Sequence, residues 1–588
     1  MPINANFNPP VEATVVSDIE THREEPKPEV SPEEVFPQSV SSGDPSSEGA
    51  ILWTRIDPGA YSEGLALIVE IATDEDFTSN YEQRLVEAKA IVPDHDYTVK
   101  VDLNESNLGL ESDQRYYYRF EYGGVKSQIG RCKTLPDQQE TPERVQFAVL
   151  SCRDYQNGYF GAYHHIAEEA VDYLVDLGDF IYEVTDGRFA LDSGAYPDHD
   201  IEPFPSREGR ETGIVHDVSD YRHLYRTYHE NEFLQEALER HTRIFTWDDH
   251  EFADNIYWDR ETGAPRAPGH PYDGDAHRME ALVRDALQAW WEYTPTRVGY
   301  DPDAEEVNEV ITLYRRFQFG SLVTLLVTDE RLYRDQPQRH STRIKNRTRR
   351  RLRERLQEWL PIPPSDKEID QTMLGEDQRE WFIDEIHDSE TQWTVWANEV
   401  LTLPMRIPLP YRFHDAWDGY EEERKRLMRE VKASQMLLST GKSERGVRNF
   451  VTLTGDMHSY LVGYQRTAYP DNGLVGVELM TPALTSINIS EAILAGLKMA
   501  SGRVGGAIGF LISDIVEPVV DAAIPKTIPN VEFFNSYEWG YSVVTFTPKQ
   551  CTYRAYSVDK ADNSAETKRT LVTEARIPEG RIEIEKLI

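Results

Sequence analysis

Four short segments of this 588-residue chain end an apolar run with residues that bind metal ions. They read VLSC at 149–152, LVDLGDFIY at 174–182, FTWDDHE at 245–251 and VTLTGDMH at 451–458. Together they offer Cys152, Asp179, Tyr182, Asp248, Asp249, His250, Asp456 and His458. Carboxylates and a phenolate suit hard cations, while imidazole and thiolate suit borderline ones. So many convergent ligands imply a multinuclear centre that hydrolyses its substrate with metal assistance. Each segment has a blander alternative when taken alone. Asp179 could cap a turn, the Asp248–Asp249 pair could be a solvated acidic turn, and His458 could be an ordinary turn histidine. Cys152 could be an inert core thiol. Repetition of the pattern at four strand ends argues for one site.

These residues need strands that deliver them to one edge. QFAVLSC reads as a strand, NGYFGAYHHIAEEA as a helix and DYLVDLG as the next strand, a βαβ unit with parallel pairing. Further strands are expected at 243–247, 322–328 and 449–454, with helices at 275–292 and 347–359. Open α/β sheets bind ligands beyond the carboxyl ends of their strands. If the strand at 449–454 continued, Asp456 and His458 would face the same side. The His pair of YHH at 163–165 reads as a helix face. Residues 1–34 read as an extended or disordered arm and 35–136 as a small β-sandwich. Residues 137–143 form a linker, 144–560 the larger α/β domain, and 561–588 a C-terminal extension. The strands YSVVTFT and CTYRAYS read as a closing antiparallel hairpin. The Gly-rich apolar run at 492–520 reads as a helical pair over the core, or as an apolar wall for a lipid chain.

Composition narrows the partners. The net charge is -41, from 103 acidic and 62 basic residues, yet aromatics make up 11%. Disordered acidic chains lack aromatics, so a folded protein with an acidic surface is expected. Its self-repulsion is tolerable where salt screens it, which predicts a halophilic protein whose melting temperature rises with added salt. Nucleic-acid binding is not expected from such a field. Three cysteines make no disulfide framework. The first residues show no signal-peptide pattern and no run reaches a membrane span. A cytoplasmic location is the expectation for the sequence as written, export if a signal precedes it.

After the strand LVTLLV comes TDERLYRDQ at 328–336, where Arg331 or Arg334 could either clamp phosphate or form a salt bridge within the acidic protein. WDGYEEER at 417–424 reads as a loop leading into a charged helix. With SVSSGDPSSEGAILWTRIDP, SCRDYQNGYFGAYHHIA, LGDFIYE, WDDHE, LTGDMHS and ELMTPALTS, these make eight ordered motifs across most of 38–557. In them the chain resembles the PhoD-type alkaline phosphatases and phosphodiesterases of the metallophosphatase superfamily. The resemblance implies a four-layered αββα sandwich preceded by a fibronectin-like β-sandwich. It implies Fe(III) with calcium, or zinc, manganese or magnesium as alternatives, and in-line attack of a metal-bound hydroxide on a small phosphate ester. It would place Cys152, Asp179 and Tyr182 on iron, with His458 or Asp456 completing the shell. Asp179 would bridge, Asp248 or Asp249 would hold the second cation, and His250 would act as acid or hydrogen-bond donor. Arg331 would contact phosphate. Arg153 stands where relatives usually carry Gln, and an extra cation there would favour an anionic substrate. Phosphomonoesters are the leading substrates. Diesters, including a phospholipase D-like activity, are the alternative, and a non-catalytic metal-binding protein is the alternative of another class.

Overall fold

The structure, a computed structural model, describes residues 30–104, 108–190, 195–207, 210–337, 371–404, 414–469, 472–491 and 530–586. It also describes Asp521, 524–526, Ile528 and Ile588. The expected helix at 347–359 and the Gly-rich run at 492–520 lie outside these residues.

Hydrophobic runs bounded by turns fold into two large sheets. The first has ten strands. At its centre Val145–Leu150, Tyr173–Asp176, Thr242–Phe245 and Val40–Ser46 run parallel side by side. The second has seven, with Val323–Val327, Trp393–Ala397, Asn449–Thr454 and Asn472–Met480 parallel. Parallel strands buried on both faces read as near-continuous apolar runs, as VQFAVL and NFVTLT do.

Side chains alternate between faces. Phe147, Val149, Val175 and Ile244 of the first sheet meet Leu325, Val327, Val395, Val451 and Leu453 of the second in one apolar layer. On the other face of the first sheet, Ala148, Leu150 and Leu174 pack against the helices Gly161–Glu168, Val218–His229, Glu232–Arg240 and Ala276–Tyr293. On the other face of the second, Leu326, Trp396 and Phe450 pack against Gly375–Asp388 and Glu421–Ser439. The result is the four-layered αββα sandwich.

The N-terminal β-sandwich shares a layer with it. Its Leu67–Ala72, Glu82–Val86 and Arg115–Tyr122 strands lie in a separate five-stranded sheet, whereas Gly49–Arg55 and Thr98–Asp102 continue the ten-stranded one. The join is Val40–Ser46, where Ser42 pairs with Thr242 and Gly43 with Arg243. At the other end the hairpin of Gly540–Phe546 and Gln550–Val558 pairs antiparallel with Val145–Leu150. Beyond residue 560 the chain stays in the same sheet through Arg569–Pro578 and Glu585–Lys586. Among the described residues, no helix is long and apolar enough to cross a membrane.

Candidate active site

The turns after the parallel strands of both sheets converge. Cys152, Asp179, Asp456 and His458 have φ of 55°, 52°, 59° and 53°. Such left-handed backbone costs about 1–3 kcal/mol per residue and clusters at functional sites. The strand expected at 449–454 is Asn449–Thr454 and does not continue to Asp456 and His458. The two residues open onto one cavity through two left-handed turns, not through strand alternation. Two glycines allow the turns to touch. A Cβ on Gly178 would sit 2.4 Å from the Asp248 amide nitrogen, and one on Gly455 would sit 2.4 Å from Ser151 Oγ.

Among the described residues, ligand atoms then fall into three groups, each within 4.8 Å: Cys152–Asp179–His458, Asp179–Asp249–His250, and Asp248–Asp249–Asp456. Asp179 and Asp249 each belong to two of them. Asp179, Asp249, His250, Asp456 and His458 line a cavity of about 530 Å³ with Asp254, Asn255, Tyr257, Gln336 and His414. Cys152, Tyr182 and Asp248 are buried. Tyr182 donates its hydroxyl to Asp179 Oδ2 at 3.1 Å.

The donors fit cations. Asp248 Oδ2 is a buried oxygen with no hydrogen-bond partner, a state that is costly for a carboxylate. Burial raises the Asp179 carboxyl to about 6 and the Asp456 carboxyl to about 7, with Asp249 repelling both. Burial, helped by the Asp179 and Asp248 charges, holds the Cys152 thiol well above its ordinary value. The same cause, with Asp179 and Cys152, acts on the Tyr182 phenol. Burial lowers His458 to about 4, so its imidazole is neutral. Its Nδ1–H donates to the Ile487 carbonyl, which leaves the Nε2 lone pair to face a cation, the usual arrangement for a metal-binding histidine.

His250 is the opposite case. Burial alone would discharge it, but Glu183, Asp179 and Asp249 hold it well above its ordinary value. Its Nδ1 lies 2.6 Å from Glu183 Oε2, and its ring stacks on Tyr182 at 4.0 Å. With Nδ1 engaged by Glu183, Nε2 is the ring nitrogen left to the cavity that His250 lines.

Of the two readings of Arg331 the structure shows the salt-bridged one, since its guanidinium is fully buried among acids and does not face an open phosphate subsite. It donates to Asp248, to Asp415 at 2.6 Å and to Asp456 at 2.8 Å, and lies 3.5 Å from Asp249. Its charge offsets the acidic cluster from within. Burial would raise the Asp249 carboxyl, but Arg331, His250 and Arg334 outweigh it and lower it. Arg153 is not a substrate contact either. It is fully buried, chelates Asp176 and lies over the Phe180 ring at 4.7 Å. An uncompensated guanidinium at that depth would be unstable, so strand residue Asp176 neutralises it.

Other residues escaped the sequence reading. Glu251 accepts the backbone N–H groups of Asp179, Phe180 and Asp248 and so fastens two ligand-bearing turns together. Asp415 sits just before WDGYEEER and holds both Arg331 and Arg334. The end of ELMTPALTS folds over Cys152, whose carbonyl accepts from Leu484 N at 3.0 Å. Glu183 and Glu251 stood inside the quoted motifs, but nothing distinguished them from other acids.

A model of the PhoD-like phosphatase family matches residues 147–555, and that of the family's N-terminal domain matches 22–136. The chain belongs to the PhoD-like phosphatase family. Alkaline phosphatase D of Bacillus subtilis (strain 168) is 28% identical over 527 residues, covering 88% of this chain and 76% of that protein. A solved PhoD structure superposes with a TM-score of 0.71 at 23% identity, covering 96% of this chain and 94% of that one. That likeness supports the sandwich architecture. As a PhoD-like phosphatase, the protein is a metal-dependent hydrolase of phosphoric esters.

Chelation has a signed pH dependence in such a site. In the metal-free PhoD-like phosphatase the folded carboxyls of Asp179 and Asp456 titrate above the unfolded value of 3.8. The folded state then binds more protons, and its stability falls as pH rises from about 4 through about 7. A bound cation favours the ionised carboxylates and removes this loss. Stripping metal is therefore expected to lower the melting temperature more at about pH 8 than at about pH 5, as scanning calorimetry would measure. An equal drop at both values would contradict the cation role of these acids.

Proposed function

We propose that the protein hydrolyses phosphomonoesters, with iron held by Cys152, Asp179, Tyr182 and His458. A second cation, calcium, would be held by Asp179 and Asp249 with Asp248 or Asp456. When bound, such cations supply Lewis acidity and lower the pKa of a coordinated water. The protein supplies the rest. Glu183 keeps His250 charged and oriented, and His250 lines the same cavity as the ligand acids. That shared cavity is the observation that carries the reading, because ester hydrolysis needs a proton for the leaving alkoxide beside the cations that hold the phosphoryl group. Glu251 fixes the turns of Asp179 and Asp248, and Arg331 keeps the acidic cluster from repelling itself apart.

Comparing turnover of an aryl phosphate with that of the bis-aryl diester tests the substrate class. A faster monoester is the expected result, and a faster diester would transfer the assignment to phosphodiesters. The iron assignment has its own test. Tyr182 bound to Fe(III) gives a visible charge-transfer band, so the Tyr182→Phe protein is expected to lose its colour while retaining iron held by Cys152, Asp179 and His458. A colourless but active, iron-loaded wild-type protein would remove Tyr182 from the ligand set.

A further inference from the structure

Outside both the cavity lining and the ligand set lies a pair of carboxyl groups that the mechanism does not use. Glu330 and Glu399 are both fully buried. They follow the parallel strands Val323–Val327 and Trp393–Ala397 of the second sheet. The two residues bond reciprocally. Glu330 N donates to Glu399 Oε2 at 2.7 Å, and Glu399 N donates to Glu330 Oε2 at 3.3 Å. Thr328 Oγ1 donates to Glu330 Oε1 at 2.5 Å, and Thr246 Oγ1 donates to Glu399 Oε1 at 2.6 Å. The charged groups facing the pair are Asp329 from its own turn and Asp248 from the turn after Thr246, both acidic. Among the described residues, no Lys, Arg or His hydrogen-bonds either carboxyl. Two adjacent carboxylates without a cation, at this depth, cannot both be ionised.

We propose that Glu330 and Glu399 share one proton, and that the resulting acid–carboxylate hydrogen bond is a clamp that positions the active-site turns. The contacts show what it ties together. Thr246 lies two residues before Asp248, and Glu330 directly precedes Arg331. The Glu399 carbonyl accepts from Gly455 N at 2.9 Å, next to Asp456. One buried pair thus links the turns of three cavity motifs without touching substrate. Burial holds both carboxyls above their ordinary value, Glu330 at about 7 and Glu399 well above it. The clamp therefore persists at neutral pH and opens at alkaline pH, where two buried charges face each other. This proposal rests on the assignment of these turns as the active site.

The test uses the metal-loaded protein and the variants Glu399→Gln and Glu330→Gln. An amide keeps the hydrogen bond but has no proton to lose. Infrared difference spectra at about pH 8 are expected to show a protonated-carboxyl band in the wild type that each variant lacks. The melting temperature of the wild type is expected to fall more steeply from about pH 7 to about pH 10 than that of either variant. The alkaline limb of kcat/KM is expected to move upward in the variants. Parallel melting curves across that range, or no infrared difference, would overturn the shared proton. The infrared and melting readouts are independent of turnover, so they fail separately from the phosphatase assignment. If one glutamine variant does not fold, the other carries the same comparison.

Discussion

Alanine at Asp179 is expected to remove both metal and turnover. Asp179 belongs to two of the three ligand groups and accepts the Tyr182 hydroxyl. Its loss should exceed the about 10–100-fold effect typical of an outer-shell partner, because it takes away a shared ligand itself. The folded protein should survive, since removing a buried acid also relieves repulsion with Asp248 and Asp249. Elemental analysis after gel filtration, together with kcat for an aryl phosphate, checks this. A variant that kept its metal and its rate would show that the cluster is not the catalytic centre.

The second large effect belongs to His250. Glutamine there keeps a hydrogen-bond donor but cannot transfer a proton. General acid catalysis contributes about 10²- to 10⁴-fold. The loss in kcat/KM is therefore expected in that range for an alkyl phosphate, whose leaving alkoxide needs the proton. It should be much smaller for a nitrophenyl phosphate, whose leaving group departs unprotonated. Equal losses for both substrates would make His250 a phosphate-binding residue only. Glutamine at Glu183 should mimic the His250 variant in part, because the imidazolium loses its nearest countercharge.

Legibility in the sequence followed physical lines. Cys152, Asp179 and Asp456 could be picked out because each closely follows an apolar run whose strand direction is forced by burial. The alternation of Ala148, Val149 and Leu150 between two cores was readable for the same reason. Arg153 was misplaced and Arg331 stayed between two readings because a sequence shows where a charge is and not which way it points. Both guanidinium groups turn into the protein toward acids distant along the chain, Asp415 being 84 residues from Arg331. Glu183, Glu251 and Asp415 were overlooked among 103 acidic residues. Asp and His adopt positive φ more often than most residues but still rarely, so the left-handed turns at Asp456 and His458 could not be told from a continuing strand. The pairing of Ser42 with Thr242 joins segments 200 residues apart, which local periodicity cannot reveal.

The central claim is that hydrolysis of a phosphoric ester occurs at this cluster and requires the cations it holds. Titrating metal back into chelator-stripped protein, while counting bound ions and following phosphate release, tests it most directly. Turnover is expected to be absent from the stripped protein and to rise in proportion to ions bound, with Asp179→Ala showing neither uptake nor recovery. Undiminished phosphate release from the stripped protein would contradict the account.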